Sequence, residues 1–309
     1  MIQKIKEDFK NGIINKANFI DEMSKQHQSL FEYVSLLQTV DIFSIEINEE
    51  GVLFTTKNDG IRFICKKTDQ RVAPFEIMNF GDYESEDAAF LYSFINNGDV
   101  IFDIGANIGW YSMVLSKKFP LSTIHSFEPL PVTYENLTAN IKLNNANNII
   151  SNNFGFSDEA KTLKFFAKPN SSVSNSSKNI EEDKDAIETE CKVITLDSYV
   201  FEKKIKVDVI KCDVEGAELL VYRGGIKTIE TYKPIVFSEM LRKWSAKFGY
   251  HPNDIIALFM TQGYQCFIND GNQLLSEINE VTENTVNTNF FFLHSQKHGS
   301  IISKYKSPK

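Results

Sequence analysis

The segment Val100-Ile-Phe-Asp103-Ile-Gly105-Ala-Asn107-Ile-Gly109-Trp-Tyr111 narrows the possible folds of this chain more than any other. An apolar strand runs straight into a short glycine-bearing loop and then into a helical pattern, the place where an α/β protein holds a nucleotide-like cofactor. Gly105 and Gly109 suit a turn with unusual backbone angles and close ligand approach, and Asp103 closes the strand with a charge. A dinucleotide fingerprint requires glycine at 105, 107 and 110, but Asn107 and Trp110 stand at the second and third of these positions. The loop is therefore a poor pyrophosphate cradle. A carboxylate and an amide side by side suit a zwitterionic amino-acid end, such as that of S-adenosylmethionine.

The next strand, Ser122-Thr-Ile-His-Ser-Phe127, ends in Glu128-Pro129. Glu128 lies 25 residues beyond Asp103, near the spacing at which an acid accepts both hydroxyls of a ribose. A third strand tip, Val207-Asp-Val-Ile-Lys-Cys-Asp213-Val-Glu215-Gly216-Ala-Glu218, repeats the pattern of strand, acid, glycine and helix. With Asp103-Ile-Gly-Ala-Asn-Ile-Gly109, Phe127-Glu-Pro129, Lys211-Cys-Asp-Val-Glu-Gly-Ala-Glu218 and the upstream Tyr83-Glu84, residues 80 to 295 resemble the FkbM-type methyltransferases. The resemblance implies a class I, Rossmann-like seven-stranded sheet. It also implies an S-adenosylmethionine-dependent methyltransferase whose acceptor is a hydroxyl on a sugar, a glycan or a related secondary metabolite. N-methylation of a sugar amine and a non-catalytic cofactor-binding scaffold stay open, while a nicotinamide oxidoreductase fits the loop worst.

A length of 309 residues accommodates one large α/β domain and a smaller appendage. The net charge of −8 argues against nucleic acid as the main partner, because phosphate binding needs a basic face. The start lacks the apolar core of a signal peptide and no later run approaches a membrane span, so a cytoplasmic location is expected. Cys65, Cys191, Cys212 and Cys266 lack the paired spacing of a zinc site.

Residues 1–79 read as an appendage, a helical lead-in followed by a small antiparallel β unit around Glu49-Glu50-Gly51 and Asn58-Asp59-Gly60. Leu30, Phe31, Leu36 and Leu37 make the lead-in amphipathic, suited to packing on its own core or on a second copy. Residues 80–309 read as the cofactor-binding domain, a doubly wound and mostly parallel sheet. Its strands are expected at 100–104, 123–127, 148–154, 206–212, 234–239, 263–268 and 289–294, with helices at 108–118, 131–143, 217–230 and 252–262. The polar stretch from Ala167 to Glu190 reads as a mobile loop or lid.

Candidate cofactor ligands are Tyr83, Glu84, Asp103, Gly105, Ala106, Asn107, Gly109, Trp110, Glu128 and Pro129, with Phe154, Gly155 and Asp158 placed for the adenine. Asp103 reads as a holder of the cofactor's amino group or as a helix cap, and Asn107 equally as a ligand or a left-handed turn residue. Asp213, Glu215, Glu239 and His251 are the candidate catalytic groups, all expected past the carboxyl edge of the sheet. The three acids suit either a metal-free general base or a seat for a divalent cation such as Mg²⁺.

Overall fold

Apolar positions repeating every 3.6 residues, then every two, then in both modes alternately, build an N-terminal unit followed by a doubly wound sheet. The computed structural model describes residues 1–49, 51–65, 71–167, 176–178 and 186–307. Helices α1 (Ile2–Lys10) and α2 (Lys16–Thr39) lead into strands β1 (Ile42–Asn48), β2 (Gly51–Thr56) and β3 (Arg62–Cys65), which pair antiparallel in that order. Two short helices follow, α3 (Ala73–Phe80) and α4 (Ser85–Tyr92). Leu36 and Leu37 of α2 reach the core, whereas Leu30 and Phe31 stay exposed.

The larger sheet begins with β4 (Val100–Ile104), α5 (Trp110–Lys118), β5 (Thr123–Phe127), α6 (Pro131–Leu143) and β6 (Ile149–Asn152). The chain then forms a second small sheet from β7 (Gly155–Phe156), β8 (Lys161–Ala167) and β9 (Ile187–Ile194), and leaves it through α7 (Leu196–Lys203). It returns with β10 (Val209–Cys212), α8 (Glu218–Arg223), α9 (Ile226–Tyr232), β11 (Ile235–Glu239), α10 (Arg242–Lys247) and α11 (Pro252–Thr261). The strands β12 (Tyr264–Asn269), β13 (Leu275–Glu277) and β14 (Asn289–His294), with α12 (Gly299–Tyr305), complete it.

Spatial order in the sheet is β13-β12-β14-β11-β10-β4-β5-β6, with β14 antiparallel to both neighbours. The α/β, mostly parallel fold matches the reading of the sequence. The seven anticipated strands are joined by an eighth, the short edge strand β13, paired antiparallel with β12. Because β4 sits between β5 and β10, the chain leaves β4 to one side and comes back on the other. That reversal opens a crevice past the carboxyl ends of β4 and β10.

Both faces of the sheet are covered, so alternate residues of one strand serve two different cores. Phe290 and Phe292 pack with Phe102, Ile104 and Ile210 on one face. Phe291 and Leu293 pack on the other with Ile101, Ile124 and Phe237, in a cluster that also takes in Ile42, Phe54 and Phe63 of the N-terminal unit. This second core runs across residue 79, the boundary expected between the appendage and the cofactor-binding domain.

Three local departures from the expected elements have steric causes. The helix expected from 108 starts at Trp110, because Asn107 (φ 51°) and Gly109 (φ 92°) are left-handed. The helix expected over 217–230 divides at Gly224-Gly225. There, added Cβ atoms would lie 2.1 Å from the Ser157 carbonyl oxygen and 2.6 Å from Leu196 Cδ2. The anticipated lid surrenders its ends, Ala167 and 187–190, to the β8–β9 pair, and Ser176 bridges back to Phe166. Residues 168–175 and 179–185 of this stretch lie outside the described ones.

Phe291 has no exposed surface and lies 4.9 Å from the Phe237 ring and 5.5 Å from Phe90, joining the sheet to α4. Phe291→Ala is expected to cost about 3–5 kcal/mol of stability, read as a lower midpoint with unchanged slope in urea unfolding.

Candidate active site

A cavity of about 890 Å³ occupies the crevice at the topological reversal. Register explains its floor. Lys211 of β10 stands beside Asp103 of β4, and Asp103 beside Ser126 of β5, so a polar row crosses an otherwise apolar sheet. Asp103 has no exposed surface and accepts a hydrogen bond from Ser112 Oγ at 2.5 Å. The Lys211 ammonium lies 3.5 Å from Asp103 and 3.5 Å from Asp213, donates to the Gly105 carbonyl at 3.2 Å, and sits 5.1 Å from the Tyr111 ring centre. Burial pulls its pKa down, but Asp213, Asp103 and Glu84 together more than offset this and raise it above an ordinary lysine's. The ammonium thus joins the loop after β4 to the loop after β10.

The first of these loops is held from the far side by Glu128. Its buried carboxylate accepts hydrogen bonds from the amides of Asn107 and Leu130, each at 3.0 Å. Burial pushes the Glu128 pKa up to about 7 against the pull of those amides. Gly105 (φ 77°) is sterically required, since an added Cβ would fall 1.8 Å from the Asp213 carbonyl oxygen. Asn107 adopts the left-handed conformation and also faces the cavity.

The second loop turns on two consecutive left-handed residues, Glu215 (φ 55°) and Gly216 (φ 97°). Glu218 folds it, accepting from the amides of Val214 at 3.1 Å and Gly216 at 3.0 Å. The Tyr250 hydroxyl lies 2.8 Å from the Gly216 carbonyl and 3.1 Å from the Glu218 carboxyl. Burial lifts the Glu218 pKa to about 7 as well. Asp213, Glu215 and, from the tip of β11, Glu239 all line the cavity. Burial, then the neighbouring charges of Asp213, Glu215 and Glu84, push the Glu239 pKa well above its usual value, which favours the neutral form.

Of the residues singled out from sequence, Tyr83, Glu84, Gly105, Ala106, Asn107, Trp110, Glu128, Pro129 and Gly155 line the cavity with the three acids. Five do not. Asp103 lies beneath the floor, consumed by Ser112 and Lys211. Gly109 is the left-handed start of α5, with Leu137 where a side chain would go. Phe154 packs among Phe127, Phe156 and Tyr199, while Asp158 turns outward toward Lys161. His251 caps α11, its Nδ1 accepting from the Asn253 amide at 3.2 Å while its own amide donates to Asp254. The ring is exposed and away from the acids it was expected to join.

Several lining residues carried no functional reading in the sequence: Lys211, Ser157, Leu163, Phe165 and the α10 side chains Lys243, Trp244 and Lys247. Alternation in Lys161-Thr-Leu163-Lys-Phe165 was the signal for the strand that brings two of them in. Glu84, left-handed at the start of α4, also lines the cavity and accepts from the Tyr111 hydroxyl at 2.5 Å. Among the described residues, no three His, Cys, Asp or Glu side chains are grouped to hold an ion, which leaves the divalent-cation alternative without support. The positive charge between the loops is that of Lys211.

The profile described as Methyltransferase FkbM domain matches residues 103–266. Methyltransferase 1 of Beauveria bassiana (strain ARSEF 2860) is 30% identical over 142 residues, 40% of this chain and 57% of that one. The hexuronic acid methyltransferase AglP of Haloferax volcanii is 27% identical over 139 residues, 45% of this chain and 54% of that one. The chain thus spans little more than half the length of these relatives. A crystal structure of Methyltransferase FkbM from Methylobacillus flagellatus KT overlays with a TM-score of 0.43 at 15% identity, covering 64% of this chain and 44% of that one.

Lys211→Met strands Asp103 in the interior and is expected to cost about 3–5 kcal/mol. Adding Asp103→Leu should restore much of this, a coupling that a double-mutant cycle in urea reads directly. Glu128 contributes a pH dependence of definite sign. Its folded pKa, about 7, exceeds the ordinary 4.5, so its stabilising effect is complete below pH 4.5 and is lost as pH rises to about 7. Glu128→Gln is expected to flatten this decline by up to roughly 3 kcal/mol, at 1.4 kcal/mol per unit, in unfolding measured across that pH range.

Proposed function

The chain belongs to the FkbM methyltransferase family, whose members depend on S-adenosylmethionine, and from that premise we propose that it methylates a hydroxyl of a sugar, a glycan or a related secondary metabolite. The observation that carries this reading is the division of one cavity between two strand tips. Glu128, held by two loop amides, faces one end, and the carboxyls of Asp213 and Glu239 face the other.

The residues present fit the cofactor. Glu128 accepts the ribose hydroxyls, and Gly105 lets the cofactor approach the main chain. The adenine side is formed by Phe156 and Ser157, with Pro129 and Gly155 behind them. Asp103 is out of reach, so Glu84 with Tyr83 takes its place as acceptor for the amino group, and the faces of Trp110 and Tyr111 suit the sulfonium. When bound, S-adenosylmethionine supplies the methyl: the acceptor oxygen takes the carbon, and sulfur keeps the electron pair of the broken bond.

The protein's part is to orient the acceptor and to receive its proton. Positioning contributes roughly 7–11 kcal/mol toward the barrier, and a general base about two to four powers of ten. Burial and the surrounding charges favour the neutral form of Glu239, and Asp213, in contact with the Lys211 ammonium, takes the hydroxyl proton. Glu239 donates a hydrogen bond instead, and Glu215 borders the acceptor. An acidic floor favours oxygen over nitrogen as nucleophile, because carboxylates stabilise an amine in its protonated, unreactive form. The similarity to a hexuronic acid methyltransferase supports a sugar acceptor.

Calorimetry is expected to give micromolar S-adenosylmethionine binding, lost in Glu128→Ala and absent for NAD in the wild type. Asp213→Asn should keep that binding within about threefold while methylation falls by about 10²–10⁴, whereas Glu239→Gln, which keeps a hydrogen-bond donor, should lose much less activity. Tighter binding of NAD, or full activity in Asp213→Asn, overturns the assignment.

A further inference from the structure

The sign of charge changes along the cavity. Its floor carries Glu84, Asp213, Glu215 and Glu239, whereas the wall formed by α10 presents Lys243, Trp244 and Lys247. Lys243 is exposed, and Trp244 and Lys247 are half-buried, so the cations stand at the solvent edge. This wall is built into the fold. Gly216 (φ 97°) has no side chain because a Cβ there would lie 2.8–2.9 Å from the Trp244 backbone, so α10 is pressed directly onto the loop that carries Glu215. Lys178 braces the far end of the helix, donating from Nζ to the Lys247 carbonyl at 2.5 Å with its ammonium 5.1 Å from the Phe248 ring centre. A third cation therefore gathers at this edge of a chain whose net charge is −8.

Among the described residues Lys243 forms no ion pair, and its ammonium rests 4.4 Å from the Trp244 ring centre. A carboxylate or phosphate is a stronger partner for that ammonium than an indole face. A neutral acceptor would leave the basic wall unused, and an amine would be repelled by it. An acceptor with a hydroxyl at one end and an anion at the other satisfies both ends and is oriented by them.

The geometry points to an anionic sugar as acceptor, either a uronate or a sugar phosphate, with Lys243 and Lys247 holding its anionic group while its hydroxyl faces Asp213 and Glu239. Trp244 supplies the apolar surface against which the C–H face of the ring packs. The inference rests on the reading of a sugar hydroxyl as the methyl acceptor.

The test is calorimetry on the full chain with S-adenosylhomocysteine present, using methyl glucuronide, glucose 1-phosphate, methyl glucoside and inorganic phosphate as probes, followed by methylation assays with the three sugars. Anionic sugars are expected to bind at least about tenfold more tightly than methyl glucoside, the scale of one charge-assisted hydrogen bond. Lys243→Gln/Lys247→Gln should abolish that difference and leave S-adenosylmethionine binding unchanged. The stronger of glucuronide and sugar phosphate identifies the anion. Equal binding of neutral and anionic sugars, or a preference that survives the double variant, overturns the inference. If inorganic phosphate binds only when both lysines are present but no sugar is methylated, the anion site stands and the sugar reading falls. If neither phosphate nor any anionic sugar binds while S-adenosylmethionine does, the anion site falls on its own.

Discussion

The Lys211 ammonium, buried between Asp103 and Asp213, is the charge on which the arrangement of the site depends. An ammonium in an apolar sheet is tolerated only with carboxylates and a carbonyl around it, and those partners come from two different strand tips. Asp103 and the Gly105 carbonyl belong to the loop after β4, and Asp213 to the loop after β10. One cation thereby sets the distance between the two ends of the cavity. Negative charge gathers around it as well, and burial together with the acids Asp213, Glu215 and Glu84 raises the pKa of Glu239 and favours its neutral form.

Packing makes this arrangement rigid. The two loops meet where Gly105 lies against the Asp213 carbonyl, too close for any side chain. In the loops that border the cavity, Asn107 and Glu215 are held left-handed beside Gly105 and Gly216, and strain at such non-glycine positions persists where surrounding contacts over-determine the backbone. Glu128 and Glu218 perform equivalent tasks in the two loops. Each is a buried carboxylate gathering two amides, and each is lifted to about 7 by burial. The site is assembled twice from one device, once for each strand tip.

Much of this was legible in the chain, for a physical reason. A doubly wound sheet buries both faces of its strands, so apolar runs such as Val100–Ile104 and Asn289–Leu293 announce themselves, and glycine and acid at strand tips mark where a ligand approaches. Less visible were residues whose role depends on what they meet. Asp103 looked like a ligand because it ends a strand, but its register beside Lys211 and the reach of Ser112 place it under the floor. Asp158 and Phe154 sit next to the lining residues in sequence, yet Phe154 packs against Phe127 and Tyr199 and Asp158 pairs with Lys161, leaving Phe156 and Ser157 to face the cavity. His251 precedes Pro252, the first residue of a helix, and capping consumes its ring nitrogen.

Local chemistry alone determined the strands, the two glycine-bearing loops and the acids that follow them, because hydrophobic period and turn preference act over a few residues. Only the tertiary structure decided that Lys211 stands between those loops, that α10 turns a basic wall toward an acidic floor, and that β8 brings Leu163 and Phe165 into the same cavity. Those contacts join residues far apart in the chain. They follow from strand order and register, which no single stretch of sequence contains.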